Sequence, residues 1–195
     1  MPPDGAGCKA ERYNRDKFAL ALASVAAIIA PYTKERMMQI LAELASMPDD
    51  IAGLLAQVPA EKLAWVPPTW EGIPGERFTA LGQACHLRDI ERDGYHVRFG
   101  RTLREERPDL ASIDSYELAA ARNYEADDVE AALIAFRKAR RETVAMLQTV
   151  RADDWNRRAT FAEYGEVTLA GLAHILRSHD LQHLACLHWL LAKMA

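Results

Sequence analysis

After residue 36, apolar positions recur at helical spacing along nearly the whole chain. Met38, Leu41 and Leu44 mark a helix over Met37–Ala45. Ser46 is placed to cap a second piece, with Pro48 in its first turn and Ile51, Leu54, Leu55 and Val58 as its apolar positions. A long helix is predicted from Phe78 to Leu103. Another opens at Asp127-Asp128, where acidic groups suit a helix N-terminus, and carries Val129, Leu133, Phe136, Val144 and Leu147. Thr168 is placed to cap the last helix, whose apolar run extends from Leu169 to Leu191. Strand-like alternation is nearly absent. The pattern predicts an all-α protein with four main helices around one core.

The connections are long. Pro59–Gly75 holds Pro59, Pro67, Pro68 and Pro74, so it cannot be a continuous helix, and Trp65 and Trp70 are positioned to pin it as an ordered loop. Arg104–Ala126 is expected to contain a short helix at Ser115–Arg122. Asp153–Val167 reads as a loop carrying Trp155, Phe161 and Tyr164.

One interruption of the last apolar run stands out: His179-Asp180-Leu181-Gln182-His183. At about 100° per residue, Leu172, Leu176, Leu187 and Leu190 fall within roughly 40° of His183, and His179 lies one turn below it. Two imidazoles therefore sit on the face that packs inward, which costs free energy unless their nitrogens are satisfied. Hydrogen bonds within the core are one remedy and a divalent metal is the other, since imidazole binds zinc and nickel well. Metal binding needs a third ligand. His86, in the long second helix, supplies a candidate, because Ile90 and Val97 lie within about 40° of it around the axis. Arg88, Glu91, Arg92 and Arg98 are expected on the opposite side. Asp89 and Asp93 border the inward stripe, either paired with those arginines or accepting from a ligand imidazole. His96, His174 and His188 point away from the inward faces and are expected to be partly exposed.

Composition narrows the reading. A chain of 195 residues, half of them apolar, suits one domain with a substantial core. The net charge of −4 argues against nucleic-acid binding through a broad basic surface. Cys8, Cys85 and Cys186 are scattered, with no CxxC, which favours a reducing, cytoplasmic setting over a disulfide framework or zinc knuckle. Cys85 is expected to pack in the core. Cys186, three residues from His183, is either a core residue or a close neighbour of the site.

Residues 1–36 differ from the rest. Lys9, Arg12, Arg15 and Lys17 precede the apolar run Phe18–Ala30, closed by Pro31. The run is too short to span a bilayer. It reads as a secretion signal, an extra helix against the bundle or a subunit contact in a homodimer, or an upstream extension of a chain that starts at Met37 or Met38. The expected division is an N-terminal extension, 1–36, and a helical domain, 37–195.

From Met37 onward the chain resembles the DinB-like superfamily. The resemblance is carried by Cys85-His86-Leu87-Arg88-Asp89-Ile90-Glu91, Arg98-Phe99, Arg104-Glu105-Glu106-Arg107-Pro108, Ala135-Phe136-Arg137-Lys138-Ala139-Arg140 and His179-Asp180-Leu181-Gln182-His183-Leu184. It implies a four-helix bundle with long connections and a divalent ion (nickel, zinc or iron) held by His86, His179 and His183. One departure concerns the segment before the first ligand. Many members carry a Trp-Ser pair and an acidic residue there; here it reads Ile73-Pro74-Gly75-Glu76-Arg77-Phe78-Thr79, so the pocket rim is expected to differ. Three neutral imidazoles leave a coordination position open, as in catalytic sites. Such an ion acidifies water for hydrolysis or binds a low-molecular-weight thiol as thiolate for transfer to an electrophile. The resemblance favours thiol-dependent transfer on a small-molecule substrate; hydrolysis and a non-enzymatic metal- or small-molecule-binding bundle are the alternatives. No general base is evident among Gln83, Asp89, Asp93, Tyr95 and Gln182.

Overall fold

A computed structural model describes residues 33–162 and 164–195. The expectations for Phe18–Ala30 and the segment around it lie outside the described residues. Six α-helices are described: α1 (Lys34–Leu55), α2 (Ala80–Asp89), α3 (His96–Arg104), α4 (Ser115–Arg122), α5 (Val129–Gln148) and α6 (Leu169–Met194). Helices α2 and α3 are joined without a break by a π-helical stretch, Ile90–Tyr95. α1, α2–α3, α5 and α6 are the four long rods, as the periodicity predicts.

The caps explain where the rods begin. Thr79 accepts from the Gly82 amide, Asp128 from Ala131 and Thr168 from Gly171, each a short side chain closing an otherwise open first turn. The start expected at Phe78 therefore moves to Ala80.

Four expectations are corrected. First, α1 is one helix, not two, and Ser46 caps nothing: its hydroxyl donates back to the Glu43 carbonyl. Pro48 lies inside the helix, where it lacks the N–H that would bond Leu44. The freed Leu44 carbonyl accepts instead from Arg140 Nη1 at 2.9 Å, which lets the helix continue. Second, the face of the second rod changes along its length. Ile90 is buried as predicted, but Val97 is 45% exposed while Arg98 and Phe99 are buried. A π turn inserts one residue, so positions beyond it rotate by about 100° and the inward stripe moves one residue on. Third, Glu91 is buried, not on the outer face. Fourth, the two long connections pair with each other. β1 (Asp109–Leu110) lies parallel to β2 (Arg158–Phe161), which is antiparallel to β3 (Gly165–Thr168). Runs this short give little alternation to read, although Ala159 and Phe161 do alternate inward.

The Pro59–Gly75 loop is pinned as expected, with Trp70 stacked on Trp189 of α6 at 6.0 Å. No helix among the described residues is long and apolar enough to cross a membrane.

At the bundle centre Arg140 of α5 is almost wholly buried. It bonds both oxygens of Asp180 in α6 (2.7 and 2.9 Å) and Glu91 in the π stretch (2.8 Å), besides Leu44 in α1. One guanidinium thus ties all four rods together. Replacing Arg140 by Ala leaves two buried carboxylates and a carbonyl unpartnered, and is expected to cost about 3–5 kcal/mol in urea denaturation. A loss below about 1 kcal/mol would show that water takes over those contacts.

Candidate metal centre

The three inward histidines meet. His86 comes from α2, one turn before the π stretch; His179 and His183 come from successive turns of α6. His179 Nε2 lies 3.1 Å from both His86 Nε2 and His183 Nε2. A fourth donor arrives from the segment before α2: Glu76 places Oε1 3.7 Å from His86 Nε2 and Oε2 3.7 Å from His183 Nε2. One ligand atom from each of the four residues lies within 4.8 Å of all the others.

These spacings suit a cation better than hydrogen bonds. Zinc–nitrogen bonds of about 2.0–2.1 Å in a tetrahedron put the donors about 3.3 Å apart, inside the observed range of contacts. Protons fit less well. Gln83 donates its amide N–H groups to the Glu76 and Phe78 carbonyls, so its oxygen faces His183 Nδ1 and accepts from it. His183 is therefore protonated on Nδ1 and turns a bare lone pair on Nε2 toward the cluster. A single N–H on His179 could serve its two 3.1 Å neighbours only as a shared bond. A dication serves all three lone pairs at once.

The electrostatics agree. Burial holds the His86 imidazole down at about 4 and keeps His179 and His183 well below the usual histidine range; the neighbouring imidazoles add to this for the latter two, and Arg140 and Arg98 for His179. All three rings are neutral near pH 7, the form that binds metal. Burial pushes the Glu76 carboxyl upward. Glu76 Oε2, His86 Nδ1 and His179 Nδ1 are buried without a hydrogen-bond partner. The donor set and the orphaned carboxylate oxygen fit a divalent ion.

The other candidates sort clearly. Asp89 is buried and pairs with Arg88, Arg92, Arg122 and the Tyr124 hydroxyl; Asp93 pairs with Arg92 and Arg122. They take the ion-pairing role, and neither accepts from a ligand ring. The Tyr95 ring stands 5.8 Å from that of His179. Gln182 donates to the Pro74 carbonyl. Cys85 is buried and donates to Asp127, its thiol pushed up to about 12 by burial. Cys186 is buried beside Gly75, outside the donor set, its thiol raised to about 11 by burial and then by Glu76. His174 and His188 are exposed; His96 is half-buried against Thr143.

Two contributors escape periodicity. Glu76 sits in an irregular segment ten residues before His86, where helical spacing carries no information. Its acidic character in the stretch preceding the first histidine is the one available signal. Gln83 shares the turn before His86, and a fully buried glutamine in a helix is itself a sign of a bonding partner.

A family model of the DinB superfamily matches residues 43–187. Among solved structures, the chain is similar to YfiT from Bacillus subtilis, described as a probable metal-dependent hydrolase with an unusual four-helix bundle topology. The TM-score is 0.73 at 20% identity, covering 83% of this chain and 89% of that one. No curated protein matches.

Two outcomes are expected. Gln83→Leu, which removes the acceptor orienting His183, is expected to weaken zinc binding about 10–100-fold in competition with a chromophoric chelator; unchanged affinity would deny Gln83 that role. Folding favours the neutral form of these histidines, so it gains stability above the ordinary histidine value and loses it on acidification. The metal-free protein is therefore expected to lose stability as pH falls from about 6.5 toward 4 in urea titrations. A flat profile across that window would contradict neutral burial of the rings.

Proposed function

The chain belongs to the DinB superfamily, and we propose that it is a metal-dependent hydrolase of a small-molecule ester or amide. The observation that carries this reading is the partly buried carboxylate of Glu76, one oxygen of which is enclosed without a partner, against the three-histidine face. His86, His179 and His183 would hold the ion, with zinc, nickel and iron all compatible with the donor set. The bound ion would supply Lewis-acid polarisation of a substrate carbonyl and lower the pKa of a water.

The rest of the work falls to this chain's own groups. Glu76 offers two oxygens beside the imidazole nitrogens, and one of them can accept the proton of an attacking water and return it to the leaving group. Gln83 holds His183 in the tautomer that keeps Nε2 free. Asp180, adjacent to His179, is fixed by Arg140, so the α6 ligands are anchored from behind. The description of YfiT as a probable metal-dependent hydrolase supports the same chemistry.

Thiol transfer keeps the family resemblance as its support. The carboxylate weighs for water, because a thiol bound to a dication ionises without a base, whereas water benefits from one. A purely structural ion is the non-enzymatic alternative, and variants separate these readings. With the metal-loaded protein and an activated ester, His183→Ala is expected to abolish turnover while the helical circular dichroism survives. Glu76→Gln is expected to lower kcat about 10²–10⁴-fold with zinc still bound. Turnover indifferent to both changes would overturn the proposal. Unfolding of the His183 variant, with neither ester nor thiol consumed by the wild type, would assign the ion a structural role.

A further inference from the structure

Helix α4 bridges the long connection, yet none of its residues is buried. A short helix of this kind ordinarily packs its apolar stripe on the core. Here only Ala119 packs on the core's edge, and Tyr116, Ala119 and Ala120, at i, i+3 and i+4, line a cavity of about 520 Å³. Phe78 and Gly82, at the start of α2, and Trp70, from the proline-rich loop, line it too. Its volume falls in the range of small-molecule sites, about 300–1,000 Å³. Val66 and Tyr116, two large apolar side chains left 57% and 51% exposed, also border it.

The cavity adjoins the metal centre through one ring. Phe78 lines it, and the centroid of the Phe78 ring lies 5.1 Å from that of His86. Gly82 makes that seat possible: a Cβ there would come within 3.0 Å of Phe78 Cβ. Tyr116 is tied to the segment bearing Glu76, since its hydroxyl accepts from the Arg77 amide at 3.1 Å. Aromatic walls favour a flat apolar group. Arg77 and Glu125, of opposite charge, both border the cavity, so neither sign of ligand charge is favoured.

We propose that this cavity binds the uncharged, aromatic-ring-sized part of the substrate, with the reacting carbonyl passing the edge of Phe78 toward His86 and Glu76. This rests on the hydrolytic reading above and assigns its substrate class: neutral aryl esters or amides.

The test uses 1-naphthol as binding probe, by isothermal titration calorimetry on the full, zinc-loaded chain. Ala120→Trp fills the cavity from an exposed position of α4; Ala121→Trp, exposed and not lining it, is the control. The wild type and the control are expected to bind 1-naphthol alike. Ala120→Trp is expected to weaken binding at least about tenfold, a change of 1.4 kcal/mol, with zinc affinity and melting temperature unchanged. Equal affinity in all three proteins, or no binding to the wild type, would overturn the proposal. Hydrolysis of 1-naphthyl acetate keeps the two readings apart. Binding that Ala120→Trp removes, without hydrolysis, supports the cavity and sinks the hydrolase. Hydrolysis lost in His183→Ala, with KM untouched by Ala120→Trp, does the reverse.

Discussion

The arrangement of this bundle depends on a single buried guanidinium. Arg140 reaches from α5 to a backbone carbonyl of α1 and to carboxylates in the π stretch and α6. Each contact answers a need created elsewhere. Pro48 frees the Leu44 carbonyl, which would otherwise be a buried orphan. Glu91 and Asp180 are enclosed, and a buried carboxylate costs free energy unless it is partnered; burial still holds Asp180 above the ordinary carboxylate range despite the arginine's pull. Because Asp180 follows His179 and Glu91 follows His86 by five residues, the clamp fixes the register in which the two histidine-bearing rods face one another.

The histidine cluster is built on that register. The π stretch lies just beyond His86, so the helix turns its inward face by one residue without disturbing that ring. Above it Phe99 fills the core and Arg98 donates to the Ala111 carbonyl, holding the connection that leads to α4. Below it, His86 stays in line with Ile90. Chemistry and architecture thus divide at Ile90–Tyr95. The four side chains are three neutral rings and one carboxylate raised by burial, a set that fits a cation.

Much of this was legible in the sequence because the residues concerned sit on regular rods. His179 and His183 share a face by simple periodicity, and His86 precedes the π stretch, so its predicted direction held. The four long helices followed from apolar spacing, the start at Asp127-Asp128 from acidic charge at a helix N-terminus, and Thr168 from cap chemistry. What stayed hidden depends on irregular backbone or on distant partners. No local rule announces a π turn, so Val97 and Arg98 exchanged places. Pro48 reads as a helix start until Arg140, far along the chain, is seen to take the carbonyl it frees. Glu76 arrives on a segment without periodicity, and the paired strands are too short to leave an alternating signature. Gln83 was visible as a candidate, but its bond to His183 required the third dimension.

The central claim is that the three Nε2 atoms, with Glu76 beside them, hold one divalent ion. X-ray absorption at the zinc edge of the protein loaded with one equivalent tests it most directly. The expected spectrum has three imidazole nitrogens and at least one oxygen at about 2.0–2.1 Å, with the outer-shell scattering characteristic of histidine rings. A shell of oxygens alone, or a sulfur at about 2.3 Å from Cys186, would contradict it.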